Sequence, residues 1–111
     1  MSPGIPEIEP TDLKARFDAG DTPVVVDVRE SFEREIADLP DVGQLHLPLG
    51  SLAARVHELD REAEIVVYCR SGGRSGSVVQ FLQSQGFERV INLRGGILAW
   101  QEEVDPSLTR Y

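Results

Sequence analysis

The stretch that decides the fold runs from residue 64 to residue 75 and reads EIVVYCRSGGRS. Its apolar run Ile65–Tyr68 predicts a buried strand, because short β-branched runs are typical of strands covered on both faces. We expect a helix directly afterwards, over about residues 74–85. The single cysteine of the chain, Cys69, therefore stands between the end of a strand and the start of a helix.

The flanking sequence repeats this order of strand and helix. Strands are expected over residues 24–28, 45–47 and 90–93, and helices over residues 9–19, 30–38, 51–59 and 97–103. In the second helix we expect Phe32 and Ile36 to turn inward and the glutamate-rich face over residues 30–35 to be solvated. Ser51 is expected to cap the third helix. The alternation indicates an α/β fold with a parallel sheet.

Length and charge limit the protein further. A chain of 111 residues fits one domain over residues 1–111, with residues 1–7 extended or frayed. No apolar run approaches the roughly 20 residues of a membrane span, and no signal peptide is recognisable. One cysteine excludes an internal disulfide framework, so we expect a cytoplasmic protein. The net charge of −8 disfavours nucleic acid and anionic membranes as partners, and a monomer is expected.

Cys69 has two interpretations, a buried structural thiol or a reactive thiolate. Free cysteine is often buried and inert, which favours the first. The following residues favour the second, because Gly72 and Gly73 allow backbone amides to turn inward around an anion. Arg70 and Arg74 add positive charge, and a helix start also stabilises a thiolate. We therefore expect a nucleophilic Cys69.

The spacing of this loop discriminates between chemistries. Four residues separate Cys69 from Arg74, whereas cysteine phosphatases and related arsenate reductases have five residues between cysteine and arginine. The shorter loop suits a group smaller than phosphate, such as one additional sulfur atom on the cysteine. A second, resolving cysteine is also absent, which further disfavours an arsenate reductase.

Three motifs follow one another along the chain: VDVRE at residues 26–30, YCRSGGRS at 68–75 and NLRGGILAW at 92–100. Together they resemble the motifs of single-domain rhodaneses. The resemblance implies a three-layer α/β fold with a central, mostly parallel five-stranded sheet flanked by helices. It also implies a thiosulfate sulfurtransferase in which Cys69 takes a sulfane sulfur, becomes a persulfide and passes the sulfur to a nucleophile. Neither a cofactor nor a metal is implied.

The resemblance also suggests roles for individual residues. Arg70 is the preferred contact for an anionic donor such as thiosulfate, whereas Arg74 could instead turn away and pair with a carboxylate. Asp27 and Arg29 are expected to be structural, with Arg29 paired to an acidic residue such as Glu35. The residues expected to bind substrate are Arg70, Ser71, Gly72, Gly73, Arg74 and Ser75. A tight helix start with a core anchor is expected at Gly95, Gly96 and Trp100.

Two segments bear on the partners. Residues 37–43 lack the histidine that many rhodaneses have there, so no role is transferred to them. Residues 100–111 resemble the tail of rhodanese domains fused to adenylyltransferases, although Thr109 stands where such tails often have proline. Cyanide is expected to accept sulfur in vitro. The expected cellular partners are a thiol, a sulfur-carrier protein, a cysteine desulfurase or an adenylyltransferase. The alternative function is a non-catalytic rhodanese-like module that binds or regulates partners.

Overall fold

A computed structural model describes residues 5–40 and 42–107. Its centre is a sheet whose strands all pair in parallel, in the order β1-β5-β4-β2-β3. The strands are β1 (Glu7–Ile8), β2 (Val24–Asp27), β3 (Leu45–His46), β4 (Ile65–Tyr68) and β5 (Val90–Leu93). The predicted five-stranded α/β fold is therefore confirmed, and every strand pair in the described residues is parallel.

Helices cover both faces of this sheet. They are α1 (Pro10–Asp18), α2 (Ser31–Ile36), α3 (Leu52–Arg55), α4 (Gly73–Ser84) and α5 (Gly96–Glu103). Side chains along β4 alternate between two cores because successive strand residues point to opposite faces. Ile65 and Val67 join the core containing α3 and α4 side chains. Val66 and Tyr68 join the core of α1 and α5, where Trp100 is buried against Phe17.

The position of β4 follows from its composition. All four of its residues are buried, and it lies between β5 and β2. An uninterrupted apolar run suits that place, since both faces of a central parallel strand are covered. In the register, Tyr68 pairs with Asp27 and Val67 with Asn92. Cys69 therefore leaves the carboxyl edge of the sheet between two neighbouring strand ends.

Some local predictions are wrong. Phe32 is 62% exposed and Ile36 is also exposed, whereas Glu33 is buried. The helix is short and begins with a capping box in which Glu30 and Glu33 bond each other's backbone N–H groups. A partner on α4, described below, then holds Glu33 inward. The expected solvated acidic face is therefore wrong at Glu33.

The third helix and the chain ends also differ in detail. Residues 51–59 contain only one α-helical turn, between the 3₁₀ turns Leu49–Ser51 and Val56–Glu58, and the Ser51 side chain makes no cap hydrogen bond. At the amino end, Glu7 and Ile8 pair with β5. Residues 1–4 and Thr109 lie outside the described residues. No helix within the described ranges is long and apolar enough to cross a membrane.

Candidate active site

Cys69 lies at the floor of a tight loop between β4 and α4. The residue is 1% exposed, and its Sγ faces inward-directed hydrogen-bond donors. The Gly72 amide nitrogen lies 3.1 Å from Sγ, and the Ser75 amide and hydroxyl lie at 3.4 and 3.3 Å. Gly72 has a φ of +103°, a left-handed conformation that glycine adopts without a steric penalty. The loop thus forms a small nest of donors around one sulfur atom.

This nest favours the ionised form of the thiol. Burial alone would raise the pKa of Cys69, because an apolar environment disfavours charge. The Ser75 hydroxyl, when its hydrogen points to Sγ, and the amides of Ser75, Gly72 and Ser71 act in the opposite direction. Their sum exceeds the effect of burial, so the pKa of Cys69 lies below its usual value. A lower pKa increases the thiolate fraction at neutral pH, and the thiolate is the nucleophile.

The beginning of α5 holds the outer side of the loop. The Ile97 amide donates to the Cys69 carbonyl and the Leu98 amide to the Arg70 carbonyl, each at 3.0 Å. Gly96 has a φ of +61°, and a Cβ there would lie 2.5 Å from both carbonyl oxygens. The close approach requires glycine. The loop carbonyls are thus bonded to α5 while the loop amides face Sγ, so Gly96 supports the site as well as starting a helix.

Asn92 supports the loop from below and was not among the predicted site residues. Its Oδ1 lies 2.5 Å from Ser75 Oγ, and its Nδ2 donates to the Gly72 carbonyl at 3.2 Å. The same Nδ2 donates to Glu7 Oε2 at 3.0 Å. The signal in the sequence was a lone amide within the apolar strand β5, a position where a buried polar side chain needs partners.

Arg74 turns away from Sγ and pairs with Glu33. Its Nη1 lies 2.8 Å from Glu33 Oε2, and its Nη2 lies 2.7 Å from Glu33 Oε1. The sequence left open whether Arg74 would pair with a carboxylate, and the structure shows this arrangement. The ion pair joins the first turn of α4 to α2. By contrast, the Arg70 side chain is exposed at the rim of the loop, as are Ser71 and Gly73.

Asp27 and Arg29 form a buried ion pair beside the end of β2. Arg29 Nε and Nη2 donate to Asp27 Oδ1 and Oδ2 at 3.0 and 2.9 Å. Further bonds run from Arg29 to the Ala37 carbonyl and to Asp38 Oδ1. The Tyr68 hydroxyl lies within hydrogen-bond distance of Asp27 and Asp38. Arg29 is thus paired with acidic residues, as expected, but the example Glu35 is wrong. Asp27 and Asp38 take its place and anchor the segment that follows α2.

Within residues 5–40 and 42–107, no three His, Cys, Asp or Glu side chains are grouped so that they could hold a metal ion.

Comparisons with known proteins identify the family and several relatives of this chain. The family model described as "Rhodanese-like domain" matches residues 9–103. A protein named "Sulfurtransferase" from Allochromatium vinosum is 38% identical over 94 residues, which cover 85% of this chain and 86% of that protein. The crystal structure of a rhodanese-related protein from Thermoplasma volcanium aligns with a TM-score of 0.78 and 30% identity. That alignment covers 89% of this chain and 93% of the other.

A longer relative bears on the partners. The "Adenylyltransferase and sulfurtransferase MOCS3" of Arabidopsis thaliana is 32% identical over 104 residues. The match covers 79% of this chain but only 22% of that protein. The predicted similarity to domains fused to adenylyltransferases is therefore confirmed.

Proposed function

The chain belongs to the rhodanese-like family, and from this premise we propose that it is a sulfurtransferase in which Cys69 carries the transferred sulfur as a persulfide. One observation carries the proposal: the inward-directed donors of the loop surround a single sulfur atom. Such preformed donors stabilise negative charge without reorganisation during the reaction.

The first half-reaction loads the cysteine. The Cys69 thiolate attacks the outer sulfur of a sulfane donor such as thiosulfate. A bond forms between Sγ and that sulfur, the S–S bond of the donor breaks, and sulfite leaves with the electron pair. The negative charge then lies on the terminal sulfur of the persulfide, where the loop amides from Arg70 to Ser75 can stabilise it.

The second half-reaction unloads the cysteine. A nucleophile, cyanide in vitro, attacks the terminal sulfur and forms thiocyanate. The S–S bond of the persulfide breaks, and its electron pair returns to Sγ as the thiolate. The two halves balance without an external oxidant or reductant, so the proposed reaction with thiosulfate and cyanide requires no redox cofactor.

Intact mass measurement tests the persulfide directly. The protein is incubated with thiosulfate, separated from the donor and weighed with and without a reducing agent. We expect a reducible gain of one sulfur atom in the native protein and none in Cys69→Ser, because a serine hydroxyl stays protonated at neutral pH. Cys69→Ser should keep its fold, since the two side chains are nearly isosteric. Absence of the gain with thiosulfate and with other sulfane donors would overturn the proposal in favour of a non-catalytic binding module.

Arg70 is proposed to attract the anionic donor. Its exposed position at the rim of the loop suits a first contact with thiosulfate. Arg70→Ala should lower kcat/KM for thiosulfate roughly tenfold, the lower end expected for a lost charge-assisted hydrogen bond. Arg89→Ala is the matched control, because this substitution removes the same charge at a position remote from the loop. Arg89 is exposed just before β5, at the amino-terminal edge of the sheet. Equal effects of the two variants on thiosulfate kinetics would exclude a specific role for Arg70.

The acceptor in the cell is proposed to be a protein. The adenylyltransferase-fused relative favours an acceptor from sulfur-carrier activation, the adenylated carboxyl terminus of a small carrier protein. This acceptor is an electrophile: the terminal persulfide sulfur attacks its carbonyl carbon, and AMP leaves with the electron pair. A low-molecular-weight thiol then reduces the resulting acyl disulfide, which frees Cys69 and the carrier thiocarboxylate. A cysteine desulfurase is the corresponding proposed donor. Single-turnover transfer from persulfidated protein to an adenylated carrier, followed by mass spectrometry of the carrier, tests this step. Transfer to low-molecular-weight thiols alone would contradict it.

A further inference from the structure

The Ser75 hydroxyl faces two hydrogen-bond acceptors. Its Oγ lies 3.3 Å from Cys69 Sγ and 2.5 Å from Asn92 Oδ1, and the Ser75 side chain is buried. A hydroxyl has a single hydrogen, so it cannot donate to both atoms at once. The bond to Asn92 lies at the short end of the range for O–H···O hydrogen bonds, whereas the contact with Sγ is longer. When Cys69 is ionised, thiolate and amide oxygen therefore compete for one hydrogen.

The neighbours of Asn92 determine which way its amide points. Its Nδ2 lies 3.0 Å from Glu7 Oε2 and 3.2 Å from the Gly72 carbonyl oxygen. An ionised carboxylate and a carbonyl can only accept hydrogen bonds, so the amino group of Asn92 must face them. Oδ1 must then face Ser75. Because Asn92 is buried, solvent offers its carbonyl no alternative partner.

We propose that Asn92 is a positioning residue that draws the Ser75 hydroxyl hydrogen away from Cys69 and thereby favours the thiol over the thiolate. In the thiol state, hydrogen bonds run in one direction, from Cys69 S–H to Ser75 Oγ and from the Ser75 hydroxyl to Asn92. When Cys69 loses its proton, Ser75 must give up its bond to Asn92 before it can donate to the thiolate.

The surrounding charges do not share this hydrogen. Arg70 and Arg74 belong to the loop and α4, and Arg74 is paired with Glu33 from α2. Glu7 on β1 contacts the amino group of Asn92 and not its carbonyl. Asp27 at the end of β2 is engaged in its own ion pair. The competition therefore belongs to the chain of contacts from Cys69 through Ser75 to Asn92.

The consequence for turnover rests on the proposed function. In the persulfide, Sγ is a neutral bridging sulfur and the charge lies one atom further out. Ser75 can then keep its bond to Asn92 without leaving a charged sulfur unsatisfied. Asn92 therefore favours the sulfur-loaded state relative to the free thiolate, which would otherwise gain most from the Ser75 hydroxyl.

A double-mutant cycle tests the proposal without any sulfur donor. The pKa of Cys69 is read from the ultraviolet absorbance of the thiolate against pH, with Cys69→Ser as blank. The proteins compared are native, Asn92→Leu, Ser75→Ala and the double variant. We expect Asn92→Leu to lower the pKa of Cys69 by about one unit when Ser75 is present and to leave it unchanged in the Ser75→Ala background.

The direction of the shift distinguishes competition from simple support. If Asn92 only held the loop in place, its loss would loosen the amides and raise the pKa of Cys69 in both backgrounds. A rise, or no change, in the native background would overturn the proposal. Asn92→Val is the second replacement, because a β-branched side chain suits a strand position.

Two further variants test the proposal even if the substitutions of Asn92 prevent folding. Ser75→Ala alone should raise the pKa of Cys69 by less than about half a unit, because the hydroxyl is already contested, and a larger rise would overturn the proposal. Glu7→Gln keeps an acceptor for Asn92 and removes one negative charge, so its small shift calibrates the effect of charge alone. These measurements report only the ionisation of Cys69. Failed sulfur transfer would therefore overturn the proposed function, whereas the role of Asn92 would still be decided by the pKa values.

Discussion

At the scale of single residues, the charged groups near the sheet edge divide into two classes. Arg70 is exposed at the rim of the loop, where it can meet an anion from solvent. Arg29 is fully buried, and bonds to Asp27, Asp38 and the backbone occupy its guanidinium. A buried charge that has lost its partner is costly, so this pair supports the fold around the site.

Removing Arg29 should affect stability far more than chemistry. Arg29→Ala removes the bidentate partner of the buried Asp27 and leaves it only the more distant, partly exposed Arg34, and we expect the free energy of unfolding to fall by about 3–5 kcal/mol. Turnover per folded molecule should stay near that of the native protein. Urea unfolding combined with thiosulfate kinetics measures both quantities.

Arg34→Ala provides the control for Arg29. Arg34 lies 3.2 Å from Asp38 and 3.6 Å from Asp27, but its side chain is 35% exposed. Arg34→Ala should lower the free energy of unfolding by no more than about 1 kcal/mol. An unchanged unfolding midpoint in Arg29→Ala together with lost turnover would instead place Arg29 in the chemistry.

At the scale of elements, the site depends on contacts between the loop after β4 and helices that follow the neighbouring strands. α5 follows β5 and donates two amides to the loop carbonyls. α2 follows β2 and holds Arg74 through Glu33. Each helix fixes a different side of the loop, so the donor nest is braced before any substrate arrives.

Gly96→Ala tests the contact between α5 and the loop. A Cβ at this position meets backbone oxygens that cannot move without moving the loop. We expect destabilisation of about 3 kcal/mol or more, from the left-handed backbone and the overpacking together. Sulfur transfer per folded molecule should fall at least ~10-fold, because displaced amides no longer point at Sγ.

Gly20→Ala is the matched control for the backbone conformation. Gly20 has a φ of +75°, similar to that of Gly96, but a Cβ there meets nothing within 4 Å. Gly20→Ala should lower the free energy of unfolding by about 1–2 kcal/mol and leave sulfur transfer unchanged. If both variants lost transfer equally in the folded fraction, the contact with α5 would not be what positions the loop.

At the scale of the whole molecule, the strand order brings the site together. Because β4 lies between β5 and β2, the segments after all three strands meet at one edge of the sheet. The carboxyl edge of an open parallel sheet is where such folds place their ligand sites. The folded state thus stabilises a thiolate that the unfolded chain cannot stabilise.

Global stability should therefore depend on the ionisation of Cys69. Its pKa is lower in the folded protein, so between the folded and unfolded pKa values the unfolded chain binds more protons and stability rises with pH. The contribution is complete above the unfolded pKa of about 8.5 and is lost as pH falls through the folded pKa.

Urea unfolding of the native protein and Cys69→Ser under reducing conditions, over about pH 6 to 10, measures this contribution. The native protein should gain stability relative to Cys69→Ser as the pH rises. A constant difference between the two proteins would contradict the lowered pKa, and a decreasing one would indicate that burial outweighs the hydrogen bonds.

Local patterns account for the accuracy of the predicted elements. The apolar runs of β2, β4 and β5 and the helix after Cys69 lie within a residue or two of their predicted positions, because these signals come from neighbouring residues. The orientation of α2 was wrong at Phe32 and Ile36. A helix of six residues carries little periodic information, and its inward residue is selected by Arg74, 41 positions later.

Residue spacing was enough to predict the α/β class, the order of its elements and the place of the cysteine at the end of a strand. These features follow from local periodicity and from the conformations that glycine and β-branched residues prefer. The partners around Sγ could not be predicted in this way. Asn92 reaches Ser75 across 17 residues, and the α5 amides reach the loop carbonyls, because β4 and β5 pair and bring their ends together. Such contacts depend on strand pairing, which local spacing does not specify.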